Sequence, residues 1–163
     1  MRLTGDRRFL APRAMVFVAI HDPAVLLACI PGCEAVEQVA PEEYRARIVI
    51  RLPGIAGAWA LNVRVADAVP PARCRLEGRI EGASGTVAGE ARLELEDQPD
   101  GGSRLDYVAT ARIEGPLAWL DTALIERLAH TILDQGLARL DQEVGRRADG
   151  DAGATSNEVG VAT

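Results

Sequence analysis

The chain has 163 residues, 48% hydrophobic and 26% charged, an ordinary balance for one domain able to bury a real core. Its net charge of −6 argues against a nucleic-acid partner, which needs a basic face, and no run of roughly 18 apolar residues is present to span a membrane. Three cysteines, Cys29, Cys33 and Cys74, are an odd count that argues against structural disulfides.

The N-terminal "MRLTGDRRFLAPR" lacks the apolar stretch of a signal peptide, so a cytoplasmic protein is expected. Residues 2–11 read as a strand. Residues 12–28 read as one or two short helices, with Asp22 and Pro23 as N-cap and first-turn residue. Residues 35–40 and 58–68 read as further strands. "YRARIVIRL" places Tyr44, Ala46, Ile48, Ile50 and Leu52 on one face and Arg45, Arg47 and Arg51 on the other. "RCRLEGRIEG" turns Cys74, Leu76, Gly78 and Ile80 inward; "VAGEARLELE" and "RLDYVATARIE" repeat the alternation. This period of two marks antiparallel strands with one wet face. Pro53-Gly54, Pro70-Pro71 and Pro99 to Gly102 supply turns. From Pro116 to about Arg147 the period changes, with Leu117, Leu120, Leu124, Leu128 and Ile132 at helical spacing.

The expected fold is α+β: a curved antiparallel sheet of about six or seven strands wrapped around a long C-terminal helix, with two short helices after the first strand. Residues 1–147 form the domain. The small polar residues 148–163 are expected to be a disordered tail. The outer face alternates Arg with Glu or Asp and reads as a solvated surface with cross-strand ion pairs.

The inner face carries Gly78, Gly82, Gly89, Ala91, Ala109 and Ala111, and the chain has only six Phe, Tyr and Trp residues. Either the helix lies very close to the sheet, or an apolar cavity remains. The expected lining is Ile30, Pro31, Leu61, Leu76, Gly78, Gly89, Ala91, Tyr107, Ala109, Leu120, Leu124, Leu128 and Gln135, with Gly32, Cys33 and Glu34 at the mouth. Gln135 either contacts a ligand head group or lies where the helix end is exposed.

Other chemistry has thin support. Cys29 and Cys33 form C-x3-C, but Pro31-Gly32 interrupts any helix that would align them. Cys74, His21 and His130 are distant in sequence, so no metal site is expected. His21-Asp22 resembles the dyad of metal phosphohydrolases without the supporting histidines, and capping explains Asp22 better. No phosphate-binding glycine motif is present. No nucleophile with a base and an orienting acid can be assembled, and no catalytic residue is expected.

"DPAVLLACIPGCEAVE" resembles the hallmark segment of the carbon monoxide dehydrogenase G-subunit family, within the START-like, helix-grip (SRPBCC) superfamily. "MRLTGDRRFLAPRAMVF", "GASGTVAGEARLEL" and "GPLAWLDTALIERLAHTILDQ" are similar to its first strand and helix, its glycine-punctuated hairpin and the start of its last helix. The likeness spans roughly residues 1–145. Asp121 stands where the family often has glycine, and Gly136-Leu137 where it often has two Phe. The resemblance implies a non-enzymatic accessory protein of molybdenum hydroxylases of the carbon monoxide dehydrogenase type. It implies a role in carrying a quinone or lipid, or in recruitment to the inner face of the membrane by transient contact. A cyclase or hydrolase using Gln135, Tyr107 and Asn62, or a purely structural adaptor, are the alternatives.

Overall fold

The computed structural model describes residues 1–161, with side chains to residue 150. The elements run in the expected order. Strand β1 (Arg2–Phe9) leads into helices α1 (Arg13–Ile20) and α2 (Pro23–Cys29). Six strands follow: β2 (Cys33–Ala40), β3 (Glu43–Ile50), β4 (Gly57–Val69), β5 (Arg73–Gly82), β6 (Gly85–Asp97) and β7 (Ser103–Glu114). Helix α3 (Thr122–Val161) closes the chain. The strands form one curved antiparallel sheet in the order β1-β7-β6-β5-β4-β3-β2, open at β1 and β2.

Register sets the two faces. Leu76 pairs with Val65 and Ala91, Ala91 with Ala109, and Ala109 with Leu3. One face therefore gathers Tyr44, Ala46, Ile48, Trp59, Cys74, Leu95, Leu105 and Tyr107, all buried. The other face carries ion pairs such as Arg64–Glu77 at 3.3 Å, Arg75–Asp67 at 3.0 Å and Arg75–Glu90 at 3.2 Å. Asn62 lies on this outer face and accepts from Arg45 Nε at 3.2 Å.

The inner face is filled at both ends. One cluster joins Phe9, Val16, Phe17, Val25, Leu105, Leu140 and Val144 beneath α1, α2 and the later turns of α3. The second joins Ile48, Ile55, Trp59 and Leu117. Here the loop before β4 folds inward, and Trp59 Nε1 donates to the Ile55 carbonyl at 2.9 Å.

Two expectations about the C-terminal helix need correction. Pro116–Trp119 form a separate 3₁₀ turn, and Leu120 is extended. Helix α3 starts afresh at Thr122, where Ala123 N–H donates to Asp121 Oδ1 at 2.9 Å. An acidic side chain at that position is a good N-cap, so the chain breaks where leucine spacing alone suggests continuity. The helix also runs past Arg147, where the helical spacing in the sequence suggests an end. The expected tail, 148–163, lies largely outside the residues whose side chains are described.

Candidate ligand-binding site

A cavity of about 320 Å³ lies between α2, the middle of α3 and strands β5 to β7. Its sheet wall is Leu76, Ala91, Leu93, Leu105, Tyr107 and Ala109. Helix α2 and the turn after it contribute Val25, Leu26, Cys29, Ile30 and Pro31, and α3 contributes Ile132, Leu133, Gly136, Leu137 and Leu140. The local sequence explains the hollow. Ala91 and Ala109 face each other across β6 and β7 where larger residues would reach α3. Gly136 presents no side chain from the helix. The two filled clusters hold the helices off the sheet on either side.

Of the residues expected at the site, Ile30, Pro31, Leu76, Ala91, Tyr107 and Ala109 meet in this cavity. Leu61, Leu120 and Leu128 instead pack on the Trp59 cluster. Leu124 is 40% exposed, and Gln135 is exposed. Gly78 and Gly89 do not line the cavity. A Cβ on Gly89 would collide with the Thr110 carbonyl, and one on Gly82 with the Trp59 ring. These two glycines mark close approach, not empty space.

The expected mouth residues also fall elsewhere. Gly32 takes φ +76° and accepts a hydrogen bond from Val49 N–H at 2.9 Å, locking the turn onto β3. That backbone explains the glycine in "IPGC". Glu34 pairs with Arg47 on the outer face at 3.7 Å. Cys33 is half-buried and its thiol donates to the Ala35 carbonyl at 3.5 Å. The lining residues missed by sequence reasoning come mostly from helix faces, Ile20, Leu26 and Leu133 among them. Their signal is the apolar faces of α1 and α2 and, on α3, the recurrence of Leu133, Leu137 and Leu140.

The polar neighbours have structural duties. His21 Nδ1–H donates to the Phe17 carbonyl at 2.6 Å and its ring stacks on Phe17, with centroids 4.6 Å apart. Asp22 Oδ1 accepts from Ala24 N–H at 2.9 Å. Burial pushes the Cys29 and Cys74 thiols up to about 11, the nearby Glu143 carboxylate adding to the effect on Cys29. Both are thiols at neutral pH, poor nucleophiles and poor metal ligands. Among the described residues, no three His, Cys, Asp or Glu side chains are grouped to hold a metal ion, and no helix is long and apolar enough to cross a membrane.

Larger depressions lie on the outer face, but they are open grooves between charged side chains such as Glu77, Glu90 and Arg112. The inner cavity, by contrast, is walled by side chains and almost wholly apolar, which is the usual character of a small-molecule site.

A curved antiparallel sheet gripping a C-terminal helix over an apolar cavity defines the START-like, helix-grip class. The fold is shared with solved structures. A conserved protein from Geobacillus kaustophilus superposes with a TM-score of 0.85 at 23% identity, covering 90% of this chain and 96% of that one. A START superfamily protein from Mycobacterium smegmatis gives 0.70 at 12% identity, covering 89% and 97%. A protein from Chromobacterium violaceum gives 0.67 at 20% identity, covering 88% and 96%. No curated protein matches the sequence. The model of the carbon monoxide dehydrogenase G-subunit (CoxG) family matches residues 5–145, and the chain belongs to that family.

Proposed function

We propose that this protein is a non-enzymatic accessory protein that binds an apolar ligand, a quinone or lipid, in the cavity beneath α3. It serves a molybdenum hydroxylase of the carbon monoxide dehydrogenase type, in quinone transfer or in recruitment to the cytoplasmic face of the membrane. The observation that carries this reading is the lining: seventeen residues of which only Tyr107 and Cys29 bear a side-chain polar group or thiol. Such a wall rewards burial of apolar surface at roughly 25 cal/mol per Å² and offers little to a charged molecule. Family membership supports the enzyme partner, because the family takes its name from carbon monoxide dehydrogenase.

The enzymatic alternative finds little support. Of its three polar candidates, Asn62 faces outward and Gln135 is exposed, leaving Tyr107 alone at the cavity. Convergent acid and base groups are what such chemistry requires.

The test is organic extraction of the purified protein followed by mass spectrometry, repeated after incubation with membrane lipids. A stoichiometric quinone or lipid is expected. An empty extract in both cases would transfer support to the structural adaptor.

A further inference from the structure

The end of the fold where α3 begins differs from the rest of the surface. Three connections meet there: residues 52–56 between β3 and β4, 82–85 between β5 and β6, and 115–120 before α3. Leu117 N–H donates to the Ser84 carbonyl at 2.7 Å, and Ser84 Oγ donates to the Gly54 carbonyl at 3.2 Å. Ile55 and Leu117 pack beneath them against Trp59. None of these three segments contains a charged residue, and their flanking charges are Arg51, Glu81, Glu114 and Asp121. Trp119 is nevertheless 85% exposed and Leu52 41% exposed, while the other tryptophan, Trp59, is 4% exposed in the core. The opposite end of the sheet turns through residues 41–42, 70–72 and 98–102 and exposes Glu42, Asp97 and Asp100.

An apolar path runs from the uncharged end to the cavity. Leu124, Leu128 and Ile132 stand four residues apart on α3 and so share a face. Leu124 is exposed beside the connections, Leu128 packs half-buried on the Trp59 cluster, and Ile132 lines the cavity while 39% exposed. A protein partner has no use for such a path, whereas a molecule leaving hydrocarbon for the cavity does. The net charge of −6 repels an anionic headgroup layer, so contact with lipid falls to apolar side chains. Tryptophan is a side chain that favours the boundary between headgroups and hydrocarbon.

We propose that this uncharged end is a docking surface for a lipid bilayer: Trp119, Leu52 and Leu124 enter the headgroup boundary, and the Leu124–Leu128–Ile132 face leads an apolar ligand from the bilayer to the cavity. This rests on the ligand-carrier reading and names the surface through which the carrier meets its source of ligand.

The test is tryptophan fluorescence of the full chain with phosphatidylcholine vesicles, with and without brominated acyl chains. Trp119 emission should shift to the blue and be quenched by bromine, while Trp59 keeps its emission. Trp119→Ala should weaken vesicle binding about tenfold. Leu52→Glu should do at least as much, because it carries a charge into the boundary. Vesicle sedimentation reads both variants. Mixing in phosphatidylglycerol should weaken binding at low salt and have little effect at high salt. An unquenched Trp119, undiminished vesicle binding by both variants, or tighter binding to phosphatidylglycerol would each overturn the proposal. Dimers that form without vesicles and disappear in Trp119→Ala would also overturn it and assign the face to a second copy. A benzoquinone bearing a decyl chain, titrated without vesicles, keeps the two readings apart. Equal binding by the wild-type protein and Trp119→Ala leaves the carrier standing even where docking fails. No binding by the wild-type protein removes the quinone carrier, and the quenching still decides the docking.

Discussion

Arg147, late in α3, holds Asp22 at 2.9 Å, and Asp22 is the residue that caps α2. One carboxylate thus starts the helix that walls the cavity and pins the helix that covers it. Burial acts to raise this carboxyl, but the Arg147 guanidinium and the Ala24 and Val25 amides together hold it below the usual carboxylate value. Its folded value is depressed, so its contribution is present above the unfolded value of about 3.9 and is lost as pH falls through the lower folded value. Asp22→Ala should cost about 1 kcal/mol at neutral pH through the lost cap. Asp22→Asn keeps a capping oxygen and should lose less, with a shallower fall in stability on the acid side. Denaturant melts between pH 2 and 7 would measure both, and parallel acid limbs for the Asp22→Asn variant and the wild-type protein would refute the linkage.

Gly136 faces Cys29 across the α2–α3 contact: an added Cβ would sit 3.6 Å from the Cys29 carbonyl oxygen, an ordinary van der Waals distance. Gly145, one turn and more beyond Leu140, has nothing within 4 Å of such an atom. Alanine at either position should stabilise the helix by about 0.5–1 kcal/mol, a gain of roughly 1–4 °C in Tm at this size. Only Gly136→Ala adds a methyl to the cavity wall, so it alone should weaken ligand binding. Thermal melts paired with calorimetry separate the two effects; equal ligand affinity in both variants would contradict the placement of Gly136 at the site.

The strands were legible because each has one wet face. Arg45, Arg47, Arg75 and Arg79 alternate with buried or half-buried residues, and that period survives any detail of packing. The cavity was only half legible. Alternation assigns Ala91 and Ala109 to the inner face, but it cannot tell an empty space from one filled by a distant residue. Gly82 is covered by the Trp59 ring and Gly89 by the Thr110 backbone, contacts set by sheet curvature. The leucines of α3 failed for a related reason. Leu117 and Leu120 precede the Asp121 cap, so the helical phase restarts and Leu124 turns outward. Gly136 fared better, since its departure from the family pattern falls on the cavity wall.

The cysteines offer a probe of occupancy. Cys29 and Cys74 are buried, while Cys33 is half-buried and raised less far by its own burial. At pH 8 a water-soluble maleimide should modify Cys33 first and Cys74 last. A bound ligand should slow Cys29 several-fold and leave Cys33 unchanged, because Cys29 lines the cavity and Cys33 does not. Peptide mapping by mass spectrometry reads each site. Because burial raises the folded thiols above the unfolded value of about 8.5, their contribution is complete below that pH and is lost as pH rises towards 11.

Substitutions at two neighbouring inner-face positions should have opposite signatures. Ala109 lines the cavity, so the ring of Ala109→Phe can enter existing space. It should abolish ligand uptake with a change in stability of less than about 1–3 kcal/mol, the usual range for overpacking a filled core. Gly89→Leu looks equivalent in the sequence, since Gly89 shares the inner face of β6 with Ala91. Its Cβ would strike the Thr110 carbonyl and the Ala111 backbone, which cannot move without disturbing the β6–β7 ladder. It should therefore destabilise the fold by at least that range while having no direct contact with the ligand. Urea melts and ligand titrations on both proteins decide the matter. A stable Gly89→Leu would refute the close approach of β6 to β7, and an Ala109→Phe that still takes up ligand at wild-type affinity would show that the site lies elsewhere under α3.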